Sequence, residues 1–325
     1  MRKVVSFAIA MVIVVVIAII FFNVSKVQER IEQMKPEIRG ITFDWGAVTS
    51  ETTEVLGTIK VYNPNSVSLP VKKVACTITM NGINMGSAET LGLQIEKNAE
   101  FPIKISAKID NAKIPSFWAE HIRRNEKSEA LIEIFTTFDL GVGDFTFPFS
   151  VKRPVETDLL SSLKKVGPIP VEKKVKIPIV GERTIFKISL EAISGKWGTT
   201  TPHNTQIDLS AIINNDNPYP LVVPEVEYTI ESNGLALGSG ESGSINTFAP
   251  YSKNDVKIVA TLNTDLMDKW FVTHIQQGEK STFDIRVSLV FELNKEVLQL
   301  LGQDRLSVTV WEGSQEIETD ILGRK

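Results

Sequence analysis

Beyond residue 35 the chain alternates between polar and apolar positions. Gly57 to Tyr62 (GTIKVY), Val74 to Met80 and Lys104 to Ile109 do so nearly step by step, and a period of two marks strands with one face buried and one in water. Such strands need a second apolar layer to cover them. Asn81-Gly82 and Asn233-Gly234 stand between β-rich runs, where Asn-Gly supplies the positive φ angles of a two-residue hairpin turn. Upstream of each, Asn63-Pro64-Asn65 and Asn215-Asp216-Asn217-Pro218 end a strand and start a turn, because these side chains hydrogen-bond their own backbone. The rhythm turns helical at about Pro115 to Arg124 and about Asp265 to Gln277. Pro115 suits a first helical turn, and Asn125 and Gly278 are the two residue types that best tolerate the left-handed conformation ending a helix.

These features come in pairs. At an offset of 152, Asn63, Asn65, Leu69, Val71, Asn81 and Gly82 recur as Asn215, Asn217, Leu221, Val223, Asn233 and Gly234, and Trp45-Gly46 recurs as Trp197-Gly198. HIRRNEKS from His121 recurs as HIQQGEKS from His274, and ETDLL from Glu156 as ETDIL from Glu318. The unit is a whole domain, not a short solenoid repeat. The boundaries predicted are an anchor and spacer over 1–35, a first sandwich over 36–160, a linker over 161–181 and a second sandwich over 182–325. The linker is proline-spaced and basic (PIPVEKKVKIPIVGE), which keeps a chain stiff and extended. The fold class predicted is mainly β: two tandem antiparallel β-sandwiches of the immunoglobulin or fibronectin III kind. Each has about seven strands and one short helix, and each is long enough for its own core.

Val4 to Phe22 is apolar but for Ser6. As a helix it reaches about 28 Å, close to the hydrocarbon thickness of a bilayer. It ends in Ile19-Ile20-Phe21-Phe22-Asn23, without the small-residue pair of a signal-peptide cleavage site. An uncleaved transmembrane helix is therefore expected. Arg2 and Lys3 on one side nearly balance Lys26, Arg30 and Lys35 on the other, so charge alone does not orient it. Asn23-Val24-Ser25 matches a glycosylation sequon but abuts the membrane, and reads as a chance match.

Without Arg2 and Lys3 the chain carries 33 basic and 39 acidic residues and no block of one sign, which argues against a nucleic-acid partner. The single Cys76 makes no internal disulfide and reads as a core strand residue. Three histidines, one cysteine and no carboxylate cluster at ligand spacing leave little from which to build a zinc or catalytic site, so no cofactor is expected and the protein reads as no enzyme. His121 and His274 share a repeat position and read as packing residues rather than pH sensors or ligands. Trp118 and Trp270, and Trp45 and Trp197, read as core rather than a stacking platform. Asn63 and Asn65 lack flanking acids for an ion, Asn215 and Asn217 have only Asp216 between them, and all four read as turn residues, together with Asn81, Gly82, Asn233 and Gly234. Gly141-Val142-Gly143 lacks the helix a phosphate loop needs and reads as a hairpin turn.

The stretches NPNSVSLPVKKVACTITMNGINMGS and NDNPYPLVVPEVEYTIESNGLALGSGES resemble the water stress and hypersensitive response domain, the unit of the group-2 late embryogenesis abundant proteins. There Asn-Pro-Asn, a Leu-Pro-Val-like step and a Tyr-Thr-x-x-x-Asn-Gly run follow in that order. The first repeat departs with Ala75-Cys76 where the second has Glu227-Tyr228, and the second splits its Asn-Pro pair with Asp216. The resemblance implies a folded sandwich linked with tolerance of desiccation and sometimes tethered to a membrane. With the three-residue tail, it places the N-terminus in the cytoplasm and the bulk of the chain outside. The function class expected first is a membrane-tethered protective protein whose partner is the bilayer. The alternative is a module that binds or transfers lipid or another hydrophobic ligand, and an enzyme stands a distant third.

Overall fold

The computed structural model describes residues 36–139, 143–164, 166–177, 181–292, 299 and 305–324. The anchor and spacer expected over residues 1–35 and the hairpin turn expected at Gly141 lie outside them. Among the described residues no helix is long and apolar enough to cross a membrane.

The first repeat runs β1 (Glu37–Val48), β2 (Thr52–Tyr62), β3 (Leu69–Met80), β4 (Ile83–Ile95), β5 (Glu100–Asp110), α1 (Ile114–Arg123), β6 (Lys127–Asp139) and β7 (Asp144–Glu156). All pairings are antiparallel, in a three-stranded sheet β1-β2-β5 and a four-stranded sheet β4-β3-β6-β7. The second repeat runs β8 (Val166–Ile177), β9 (Gly181–Thr200), β10 (Asn204–Asn215), β11 (Leu221–Ser232), β12 (Leu235–Phe248), β13 (Lys253–Asn263), α2 (Met267–Gln276), β14 (Lys280–Glu292) and β15 (Leu306–Glu318). Its sheets are β13-β10-β9-β8 and β12-β11-β14-β15. The alternation works as the period requires: Ile59 faces Ile103 across β2 and β5, and both are buried.

Within each repeat the two sheets close against each other where β4 meets β5 and β12 meets β13. A Cβ on Gly86 would lie 1.9 Å from the Lys108 carbonyl oxygen, and one on Gly238 would lie 2.3 Å from that of Thr261. These repeated glycines permit the backbones to approach.

Two features differ from the sequence reading. The 161–181 segment expected as a linker is a 3-10 turn (Ser161–Lys164) followed by β8, which pairs with β9 from Val166↔Ala192 to Ile177↔Gly181. It is the edge strand of the second sandwich, where Pro168 and Pro170 are tolerated because an edge does not need every N–H. Nor does each repeat keep a core to itself. Their buried apolar side chains form one continuous cluster, and α1 packs against α2 at the junction. A ten-residue helix is marginal alone; α1 is held by burying Ile114, Phe117, Trp118, Ala119 and Ile122.

Candidate functional site

The chemistry the chain writes twice converges on this junction, beginning at the hairpin tips. Asn81 and Gly82 have φ of 49° and 83°, and Asn233 and Gly234 have 49° and 79°, the geometry of a type I′ turn. The asparagine side chains reach away from the turn. Asn81 Oδ1 accepts from Glu129 N at 3.2 Å, and its Nδ2 donates to Ser128 Oγ at 2.7 Å. Asn233 likewise accepts from Thr282 N at 3.2 Å and donates to Ser281 Oγ at 2.9 Å.

From each serine the bonds run on through a buried histidine. Ser128 Oγ lies 2.7 Å from His121 Nδ1, His121 Nε2 lies 2.8 Å from Thr157 Oγ1, and Thr157 donates to Glu126 Oε2 at 2.7 Å. The second copy repeats this through Ser281, His274, Thr319 and Glu279 at 2.8, 2.9 and 3.0 Å. The donor inventory fixes the direction. Each threonine gives its one hydrogen to glutamate, so it must accept from Nε2–H. The other ring nitrogen then accepts from serine, which itself accepts from asparagine. One continuous chain of donors, Asn to Ser to His to Thr to Glu, is satisfied with a neutral imidazole. Burial pushes the His121 imidazole down to about 4, against a smaller upward pull from Glu126.

Each glutamate sits just past its helix in the left-handed region, at φ 61° for Glu126 and 63° for Glu279, which a residue with a Cβ adopts at a cost. The site holds it there from several directions. Glu126 N donates to His121 O at 3.0 Å, Thr157 N donates to Glu126 O at 3.1 Å, and Leu159 N donates to Oε2 at 2.7 Å. His274, Thr319 and Ile321 do the same for Glu279 at 2.9, 3.1 and 2.7 Å. The remaining oxygen of each carboxylate faces the other repeat. Trp197 Nε1 donates to Glu126 Oε1 at 2.8 Å, and Trp45 Nε1 donates to Glu279 Oε1 at 2.9 Å. Arg324 strengthens the second contact alone, bridging Glu279 at 3.1 Å and Asp44 at 2.8 Å.

The rings obey the same exchange. Trp197 stands edge-on to Trp118 at 6.4 Å, and Trp45 edge-on to Phe271 at 6.3 Å. Trp118 is therefore the counterpart of Phe271, and Trp270, stacked on His274 at 4.9 Å, is the counterpart of Phe117 beside His121. The helices are aligned by His121 and His274, so Trp118 and Trp270 stand one position apart in the repeat. Trp118 is completed by the other repeat, donating to Thr205 Oγ1 at 3.2 Å.

The remaining asparagines form separate staples. Buried Asn63 donates through Nδ2 to the carbonyls of Val67, Ile95 and Glu96 at 2.8, 3.3 and 3.2 Å, and its Oδ1 accepts from Asn65 N at 3.0 Å. Asn215 does so for Tyr219, Phe248 and Ala249, with Asn217 N on its Oδ1 at 3.0 Å. Asn217 also grips the backbone of Lys187. Each pair ties the end of one strand to the loop between two others.

Ser128, His121, Thr157 and Glu126 bring hydroxyls, an imidazole and a carboxylate into contact, with His121 3% exposed and His274 1%. Burial pushes the Cys76 thiol up to about 11, away from reactivity. An open concavity of about 700 Å³ over β11, β12, β14 and β15 is lined largely by polar side chains, including Glu227, Ser239, Glu241, Arg286 and Thr309. Among the described residues no group of three or more His, Cys, Asp or Glu could hold a metal ion. Sequence reasoning noticed HIRRNEKS and HIQQGEKS but gave Glu126 and Glu279 no role. The signal present in the sequence was recurrence: the two glutamates stand unchanged behind the helix stops Asn125 and Gly278.

The family model of the late embryogenesis abundant proteins matches residues 58–153 and 211–295, one segment in each repeat and together more than half of the chain. Among solved structures, a protein from Archaeoglobus fulgidus is 30% identical over 41% of this chain and 100% of its own, with a TM-score of 0.37. An Arabidopsis thaliana protein solved in solution is 20% identical over 38% of this chain and 80% of its own, at 0.31. Red sea bream transglutaminase is 11% identical over 87% of this chain and 31% of its own, at 0.21. Comparison with curated proteins gives no match.

Proposed function

The chain belongs to the late embryogenesis abundant protein family, and we propose that it is a non-enzymatic, membrane-anchored protein that protects the cell surface when water is withdrawn. In this reading its two repeats are a tandem of the water stress and hypersensitive response unit. Val4 to Phe22 is the anchor, with the N-terminus in the cytoplasm and the sandwiches outside. The observation that carries the reading is that the family match falls on both repeats. The geometry agrees with it: the polar chains at the junction end on other protein groups, and their work is to hold two sandwiches at one angle.

The test is survival of drying. A desiccation-sensitive bacterium expressing the full chain should outlive both an empty-vector control and cells expressing residues 36–325, which lack the anchor. Survival equal to the empty vector would sink the protective reading. Lipid carried stoichiometrically through purification of the full chain, seen by native mass spectrometry, would favour hydrophobic-ligand binding instead.

A further inference from the structure

The junction has the form of a dimer interface between two copies of one domain. Each repeat contributes a strand tryptophan as donor and a left-handed glutamate as acceptor, and the two contacts are reciprocal at 2.9 and 2.8 Å. The chain crossings are reciprocal as well. Ser161, just after the first repeat's last strand, donates to Gln315 of the second at 2.9 Å. Gly323, the counterpart of Ser161, lies against the guanidinium of Arg153, the counterpart of Gln315. A surface in which i contacts j and j contacts i is self-complementary, as in a twofold homodimer. Each carboxylate accepts from the other repeat's tryptophan, and Glu279 accepts from Arg324 of its own repeat as well.

We propose that this interface exchanges between two copies of the chain, the first repeat of one seating on the second repeat of the other. The connection allows it. The Ser161–Lys164 turn packs on β9 and β15 of the second repeat, and only residue 165 separates it from β8; a short connection of this kind invites domain swapping. Closed monomer and exchanged dimer make the same contacts. The balance between them is set by chain concentration against the effective concentration of one repeat for its own neighbour, in the millimolar range for short tethers. Confinement on a membrane and loss of water both raise the former. That trigger rests on the protective reading given above; the interface does not.

The test uses two full-length chains in detergent micelles, one carrying Ser161→Cys and the other Gln315→Cys. They are mixed, incubated at micromolar or millimolar concentration, diluted and treated with a short bismaleimide. Cys76 is buried and stays out of the reaction. A covalent heterodimer should form after the concentrated incubation, on the order of tenfold above the dilute one. The chain carrying both cysteines should crosslink within itself at low concentration. A pair using Lys97→Cys in place of Gln315→Cys should give little product, since Lys97 lies in the exposed loop between β4 and β5. Absence of the heterodimer while the double variant crosslinks internally would overturn the proposal. So would failure of the internal crosslink, or equal product from the Lys97 pair. Exchange without any effect on survival of drying would retain the interface and discard only the trigger.

Discussion

His121 turns the junction into a pH-dependent element of stability. Its imidazole is held at about 4 in the folded chain against 6.5 when free in water. Because the folded value is depressed by burial of the neutral form, the contribution is present above pH 6.5 and is lost progressively as pH falls from 6.5 to about 4. Over that whole window linkage gives about 3 kcal/mol, and between pH 7 and pH 5 about 2 kcal/mol. The donor chain explains why the protein does not adapt. A second proton on His121 would point Nδ1–H at Ser128, whose own hydrogen then loses its acceptor and whose oxygen already receives Asn81. Glu126 is the charged group facing this chain, and its pull on His121 is weaker than the burial cost.

The perturbation is His121→Gln, which keeps a polar side chain but cannot titrate. Urea unfolding of the full chain, followed by tryptophan fluorescence, should be measured from pH 7.5 to 4.5 for both proteins. The variant should be less stable at neutral pH, since it interrupts a buried hydrogen-bond chain. Its stability should fall between pH 7 and pH 5 by about 2 kcal/mol less than the parent's. His274 and the surface carboxylates are common to both proteins and cancel in the difference. Parallel pH profiles would refute the argument: they would show that His121 is protonated in the folded chain, or that water reaches it.

Other outcomes follow from the same geometry. Gly82→Val or Gly234→Val, at φ of 83° and 79°, should each cost about 1–3 kcal/mol in thermal melts, and unchanged melts would remove the type I′ turn. Asn81→Asp keeps the turn tendency but loses the Nδ2 donor to Ser128, so it should cost about 1–2 kcal/mol rather than nothing. Gly86→Ala, whose Cβ would meet the Lys108 carbonyl at 1.9 Å, should destabilise by about 2 kcal/mol or more, and a neutral effect would mean that β4 and β5 do not touch there. The proposed topology, which rests on residues 1–35 and not on this geometry, predicts that protease added to intact cells or spheroplasts digests the sandwiches while a cytoplasmic control survives; protection of the sandwiches would reverse it.

Local chemistry was legible in the sequence wherever one residue type and its neighbours decide the conformation. Period-two runs gave the strands, Asn-Gly the hairpins, and Pro115, Asn125 and Gly278 the helix limits, because turn and cap preferences act within four or five residues. The doubled pattern likewise showed two similar domains without any knowledge of their packing. Tertiary structure alone decided the rest. The 161–181 segment looks like a stiff linker, since proline spacing and β-edge pairing leave the same local signature; only the free flank of β9 made it a strand. His121 and Glu126 are near in sequence, yet their meaning depends on Thr157 and on Trp197, 71 residues from Glu126. A hydrogen bond between side chains so far apart leaves no period or spacing to read. Burial is also a property of the assembled layers, and it turned a repeated His and Glu into the joint between two sandwiches.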